Sequence, residues 1–218
     1  ERFIYDGISK SLNWCGIIIG GYFLERIIIR SVDKQSHKDI TNEPYDIAAL
    51  IVFSNLSYFV SGMYKRKPFY LNHDPLYFIF YLIGLQYDLV FSSLYPVDFT
   101  LTTNSINNTW YSRPWIIIAP GVTLLSGTIY HIWLAKREAV LKQYLIFLAM
   151  VLFNIVFLAV LIIDNSGSSF HFHHWNLFYL ISLFTWFDDK WRISRYLHAL
   201  STGCYVETVC YWGIQYWS

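Results

Sequence analysis

The sequence is poor in charged residues and carries none of the common motifs of soluble enzymes. Only 14% of its 218 residues are Asp, Glu, Lys or Arg, whereas a soluble domain has about 25%. A phosphate loop, a GxSxG elbow, a CxxC pair and an HExxH motif are all missing. The net charge of +1 offers no basic surface to nucleic acid. These absences argue against a nucleic-acid-binding protein and against the enzyme classes that those motifs define.

Cysteine is also scarce. The three thiols, Cys15, Cys204 and Cys210, form no metal-binding or redox motif. Cys204 and Cys210 are six residues apart, which places them on different faces of a helix, so we predict no disulfide between them. The N-terminal residues show no signal-peptide pattern.

Apolar and aromatic residues are abundant instead, at 55% and 20% of the chain. A transmembrane helix needs about 20 mostly apolar residues, and seven stretches approach that length. They are Leu12 to Ile29, Ile47 to Met63, Leu76 to Tyr95, Trp115 to Ala135, Tyr144 to Ile163, His171 to Phe187 and Tyr196 to Trp217. The pattern predicts an all-α polytopic transmembrane helix bundle of six to seven spans.

The first stretch is interrupted by Glu25 and Arg26. Either it spans the membrane or it lies in the interface, and we expect the two charges to be at a membrane surface or paired with each other. We therefore predict an N-terminal segment over residues 1–46, with a first span or interfacial helix and a polar linker. The transmembrane bundle then covers residues 47–218.

Basic residues orient the predicted spans, because Lys and Arg accumulate on the cytoplasmic side. Three loops carry most of them: Lys65 to Lys67, Lys136 to Lys142 and Lys190 to Arg195. We place these loops in the cytoplasm or matrix, and Val97 to Pro114 and Asp164 to Ser169 outside. Asn107 opens an N-glycosylation sequon in that outer region, which favours the plasma membrane or endomembranes. The mitochondrial inner membrane is the alternative location, and a glycan at Asn107 would exclude it.

The sequence Phe170-His171-Phe172-His173-His174-Trp175 contains three of the seven histidines. It follows a polar turn in which Ser168 or Ser169 is suited to cap a helix. On that helix His171 and His174 share a face. Packing between helices, metal or haem ligation, and proton transfer are the three roles open to them.

Besides Glu25, two carboxylates lie inside predicted spans, where ionisable groups are costly and often functional. Asp88 and Glu207 fall within about 10 Å of His171 and His174 in depth, at about 1.5 Å rise per residue. The four side chains are therefore the candidate ligands of a metal ion in a pocket that faces outward. Glu207 is also the first choice of hydrogen-bond partner for the histidines. We assign no catalytic residue.

From His171 onward the chain resembles the C-terminal multispan region of LCCL-domain-containing membrane proteins. The likeness lies in His171-Phe172-His173-His174-Trp175, the polar turn Asp188 to Arg195, and the final helix that ends at Trp212-Gly213. It covers about 45 residues. Ser201, Thr202, Gly203 and Glu207 replace the Gly-rich final helix of that family, and these 218 residues contain no LCCL domain. The resemblance implies architecture more than activity.

These features predict a non-catalytic anchoring or assembly component of a larger membrane or surface complex. Its expected partners are membrane lipids and other membrane or extracellular subunits. One alternative is a metal-dependent membrane enzyme that uses the His171/His174 cluster. Another is an accessory subunit of a mitochondrial membrane complex. A transporter is disfavoured, since we find no inverted repeat and few paired intramembrane charges.

Overall fold

The structure is a computed structural model that describes residues 2–32, 43–60, 74–87, 111, 114–166, 174–185 and 191–212. Across these ranges the regular structure consists of seven α-helices, with no strand. They are α1 (Arg2–Val32), α2 (Glu43–Val60), α3 (Pro75–Leu85), α4 (Trp115–Arg137), α5 (Leu141–Ser166), α6 (His174–Phe184) and α7 (Arg192–Trp212). The predicted all-α class is confirmed, and each apolar stretch overlaps one helix.

Helix α1 runs without a break through Glu25 and Arg26. Among the described residues it is the one helix long and apolar enough to cross a membrane, over Ser9–Ser31. Pro75–Leu85 and Leu141–Phe153 are apolar but shorter. The structure describes α6 from His174 onward. The predicted helix start at His171 and the predicted serine cap lie outside the described residues.

The chain divides into two compact units. Unit 1 contains Glu1–Tyr95 and His173–Tyr216, and unit 2 contains Pro96–Phe172 and Trp217–Ser218. Unit 2 holds the hairpin of α4 and α5, whose turn is a Schellman motif. Val140 N donates to Ala135 O at 2.9 Å and Ala139 N to Lys136 O at 3.3 Å, with Ala139 at φ 60°.

Helix α7 is the centre of unit 1. It packs against α1, α2, α3 and α6, and every residue from Ser201 to Cys210 is buried. A surface helix would expose one face. The polar residues of this stretch are thus enclosed by other helices on all sides.

Helices α1, α3 and α7 run parallel to one another. Along α3, Asp74 pairs with Arg195 and Gly84 contacts Gly203 further on. Along α1, the Trp14 ring lies beside His198, and Arg26 reaches Cys210. In each case the partner on α7 advances in the same direction along the chain.

Unit 1 exposes many large apolar side chains and buries many polar ones, beside an apolar and aromatic core that includes Trp14, Ile18, Leu50, Leu85 and Val206. Large apolar residues are exposed on its helices: Leu12, Phe23, Leu24, Ile27, Val52, Leu56, Phe59, Leu76, Phe78, Ile79, Ile83 and Ile193. Polar and charged residues are buried: Glu25, Arg26, Asp46, Ser54, Ser57, Asp74, Ser182, Thr185, Ser194, His198, Ser201, Thr202, Glu207 and Thr208. In a domain that is surrounded by water, buried charged groups and large exposed apolar patches are the unusual features.

Candidate functional site

The structure describes the predicted metal ligands only in part. Glu207 is on α7 and is 1% exposed. His174 is the first residue of α6, but its side chain is outside the described part of the chain, as are His171, Asp88 and the sequon residue Asn107. Within the described ranges no three His, Cys, Asp or Glu side chains are close enough to hold a metal ion. The four-residue metal site therefore stays a prediction.

The helices that carry His174 and Glu207 are neighbours. The Tyr179 and Tyr205 rings, on α6 and α7, have centroids 5.4 Å apart, and the short connection between the helices favours an antiparallel pair. Counting back five residues from Tyr179 places His174 at the level of Cys210. Glu207 is three residues away, or about 5 Å in depth. This relationship is compatible with Glu207 as the partner of His174.

Sequence reasoning missed the setting of the charged pair on α1. Glu25 and Arg26 are only 2% and 6% exposed, so they do not lie at an open surface. Gln86, which follows α3, donates from Nε2 to Glu25 Oε2 at 3.0 Å. Arg26 Nη1 donates to the backbone carbonyl of Cys210 on α7 at 3.5 Å. The sequence showed that Glu25 and Arg26 interrupt an apolar stretch, but nothing in it indicated Gln86 as the partner of Glu25.

Glu207 belongs to the same junction of α1, α3 and α7. Gly203, Glu207 and Cys210 are spaced by four and three residues, so they share one face of α7. Gly203 contacts α3 at Gly84, and Cys210 Sγ donates to Tyr22 O on α1 at 3.5 Å. Glu207 lies between these two contacts. We call Glu25, Arg26, Gln86 and Glu207 the charged junction.

A second buried polar group occupies the other half of α7. His198 is fully buried, and its Nδ1 is 2.8 Å from the Tyr77 hydroxyl on α3. The Trp14 ring of α1 lies 5.9 Å from the His198 ring, between centroids, and its Nε1 donates to Ser54 O on α2 at 3.1 Å. The sequence did not predict that four helices meet around His198.

Tyr81 lies between these two groups. Its hydroxyl donates to Ile17 O on α1 at 3.1 Å. A Cβ atom at Gly21 would collide with this hydroxyl, so the glycine provides the space in which the hydroxyl sits. Buried His198, Tyr81 and Glu207 thus follow one another along the junction of α1, α3 and α7.

Comparison of the chain with protein-family models, with curated proteins and with solved structures gives no match. The geometry of the described residues is therefore the basis on which a function is proposed.

Proposed function

We propose that the chain is a multi-pass integral membrane protein of six or seven spans that anchors or assembles a larger membrane or surface complex without catalysis of its own. The observation that carries this proposal is that unit 1 combines many exposed large apolar side chains with many buried polar and charged ones. The proposed partners are membrane lipids and other membrane or extracellular subunits.

Helix α3 alone shows both the exposed apolar side chains and the inward-facing polar groups. Leu76, Ile79 and Ile83 are exposed, whereas Tyr77 and Tyr81 turn their hydroxyls inward to α7 and α1. In water, so many exposed apolar side chains would form a large patch prone to association. In hydrocarbon they match the solvent, and the polar groups must find partners inside the bundle.

The parallel course of α1, α3 and α7 also fits the proposed topology. Successive spans alternate in direction, so the first, third and seventh must all run the same way. Arg192 and Arg195 at the start of α7 lie on the side that the positive-inside rule assigns to the cytoplasm or matrix. The plasma membrane or endomembranes are the proposed location. The mitochondrial inner membrane, with the chain as an accessory subunit there, is the alternative.

An assembly role is supported by what the interior polar groups do. Gln86 joins Glu25, Arg26 joins Cys210, and Tyr77 contacts His198, each between two helical segments. Hydrogen bonds of this kind hold helices in a unique arrangement in lipid. A rigid bundle with an apolar outer surface is suited to lateral contacts with partner subunits. The likeness to the LCCL-associated multispan region is in keeping with this architecture.

Cysteine labelling in sealed vesicles tests the topology. Single cysteines replace exposed residues at the ends of the apolar segment of α1 (Ser9 and Ser31) and near the starts of α2 and α7 (Tyr45 and Arg192). Ser9 and Arg192 form the first pair and Ser31 and Tyr45 the second, with the native thiols changed to serine. We expect the first pair to react with an impermeant maleimide from one side and the second pair from the opposite side. Reaction of Ser9→Cys and Ser31→Cys from the same side would contradict the proposal. Vesicles opened with detergent control for reactivity.

Native electrophoresis after mild solubilisation tests the assembly role. We expect the chain to migrate with other membrane proteins in a complex well above its own 25.8 kDa plus bound detergent. Migration as a lone chain from its native membrane would contradict the assembly role while leaving the topology intact.

The alternative function, a metal-dependent membrane enzyme, is favoured by one observation, the packing of the helices that carry His174 and Glu207 against each other. Elemental analysis of the purified protein tests it, with His171→Ala, His174→Ala and Glu207→Gln beside the wild type. His131→Ala is the matched control, because that imidazole contacts Gly127 O of its own helix at 2.8 Å. Stoichiometric metal that is lost in the first three variants and kept in the control would favour the enzyme.

A further inference from the structure

The connection between α4 and α5 carries a cluster of exposed basic residues. Lys136 and Arg137 end α4, Lys142 is in the first turn of α5, and all three are exposed. Half-buried Glu138 lies between them, so three positive charges and one negative charge leave a net charge of +2. We call residues 136–142 the basic turn. Its charge is complementary to that of a phosphate group.

The end of α4 does little to repel an anion at the basic turn. The carbonyls at a helix C-terminus amount to about half a negative charge, which is smaller than the net charge of the turn. Several of these carbonyls also accept hydrogen bonds from N–H groups of the turn: those of Leu134, Ala135 and Lys136. The basic residues therefore determine the sign of the charge at this end of the hairpin.

An apolar stripe on α4 leads up to the basic turn. Its exposed side chains are Ile118, Val122, Leu125, Ile129 and Trp133. Their spacing of three or four residues places them on one face of the helix, and Lys136 follows on that face. The segment from Leu125 to Lys136 is about 16 Å long. That length is close to the hydrocarbon thickness of one leaflet, which is half of the roughly 30 Å core.

An aromatic contact places Arg137 beside this stripe. Its guanidinium lies over the Trp133 ring, 5.4 Å from the centroid, and Trp133 stacks on Tyr130 with centroids 6.0 Å apart. A guanidinium can bind two phosphate oxygens at once through its planar fork. Tryptophan next to basic residues is typical of the level at which lipid headgroups lie.

We propose that the α4–α5 hairpin binds one anionic phospholipid, with the headgroup phosphate at the basic turn and an acyl chain along the apolar stripe. The inference rests on the proposed membrane topology, in which this turn is on the cytoplasmic or matrix side, and it adds the class of lipid and the residues that bind it. The positive charge selects an anionic lipid over a zwitterionic one. The stripe selects a lipid over a free phosphate ion.

Native mass spectrometry of the purified full chain in detergent tests the proposal. Phosphatidylglycerol and phosphatidylcholine with the same acyl chains are added at equal concentration, and we expect phosphatidylglycerol to bind at least about tenfold more tightly. Lys136→Gln and Lys142→Gln should each lower its affinity about fivefold, the usual effect of one basic residue near an anionic lipid surface. Inorganic phosphate should not displace the lipid, and displacement would overturn the assignment to a phospholipid.

Matched variants separate specific binding from general charge and from folding. Arg192→Gln removes an exposed arginine at the start of α7 and should leave the affinity unchanged. Glu138→Gln removes the negative charge of the basic turn and should raise the affinity about fivefold, a gain that misfolding cannot produce. Leu125→Ser keeps every charge and should lower the affinity severalfold, because the acyl chain loses apolar contact.

The outcomes distinguish this inference from the function on which it rests. Equal affinities for the two lipids, or equal losses in Lys136→Gln and Arg192→Gln, would overturn lipid binding by the hairpin. Neither result affects the topology, because cysteine labelling in sealed vesicles tests that separately. Elution volume and helical circular dichroism report whether each variant is folded.

Discussion

Arg195 Nη1 lies 2.7 Å from Asp74 Oδ2, so one ion pair joins the start of α7 to the start of α3. The same carboxylate accepts from Tyr77 N through Oδ1 at 3.4 Å and caps α3. The Asp74 and Arg195 side chains are only 10% and 19% exposed, so water and salt screen the pair weakly. Asp74 therefore both caps the N-terminus of α3 and fixes the position of that end of α3 along α7.

A double-mutant cycle at Asp74 and Arg195 should show coupling of about 1–3 kcal/mol, the range for charged hydrogen bonds with limited exposure. Asp74→Asn keeps an oxygen that can cap α3 but loses the charge, whereas Asp74→Ala loses both. We expect Asp74→Ala to lower the free energy of unfolding more than Asp74→Asn. Denaturation in mixed micelles, followed by circular dichroism, measures both values. Additive effects of Asp74→Asn and Arg195→Gln would show that the ion pair contributes nothing.

Gly203→Ala should destabilise unit 1, because the backbones of α3 and α7 are in contact at this residue. A Cβ atom there would lie 2.9 Å from both Gly84 Cα and Leu85 N, and it would collide with Tyr81 O. Backbone atoms cannot move aside alone, so the helices must separate, at about 1–3 kcal/mol.

Gly16→Ala is the matched control for that substitution. Gly16 is also helical, but a Cβ atom there meets nothing within 4 Å, and alanine should be neutral or slightly stabilising. Equal unfolding midpoints for Gly203→Ala and Gly16→Ala would contradict the close contact of α3 and α7.

The positions of the helices could largely be predicted from residue types, because a long apolar stretch in a membrane must form a helix. The break at Glu25 and Arg26 showed where α1 carries charge. The partner Gln86 was not readable, since it is about 60 residues from Glu25 in sequence and apolar periodicity does not say which helices meet. Many exposed residues in this fold are themselves apolar, so amphipathic stripes do not identify the inner faces. The contact of Gly84 with Gly203 could not be predicted either, because the sequence does not show that α3 and α7 pack together.

Ala139→Gly should stabilise the α4–α5 hairpin by about 1 kcal/mol, because a non-glycine residue in the left-handed region carries a steric cost of that order. Ala139 is at φ 60° in the turn after α4, where glycine is the usual residue. Thermal unfolding of the two proteins gives the comparison. Ala135→Gly is the matched control, because Ala135 lies within α4 and glycine should destabilise a helix interior. A lower melting temperature for Ala139→Gly would refute the assigned turn.

Gln86→Leu should weaken unit 1 by about 1–3 kcal/mol, because Glu25 Oε2 loses its amide donor while it remains buried. Gln143→Leu on α5 is the control, since that residue is exposed and its loss should have little effect. Combining Gln86→Leu with Glu25→Leu should restore part of the lost stability, because no buried carboxylate is then left without its donor. An unfolding free energy that is the same for Gln86→Leu and the wild type would mean that the bond contributes nothing.

The central position of α7 has a consequence for biosynthesis. All four helices that surround it, α1, α2, α3 and α6, come before it in the chain. In the proposed membrane topology these four helices must therefore remain in the bilayer without α7 until α7 is synthesised. Until then, Arg26 and Tyr77 lack the α7 groups that they contact, and in that topology the nascent chain exposes polar groups to lipid. A premature stop before Arg192 should thus yield a product that cellular quality control recognises and degrades, even though most of the apolar spans have been made.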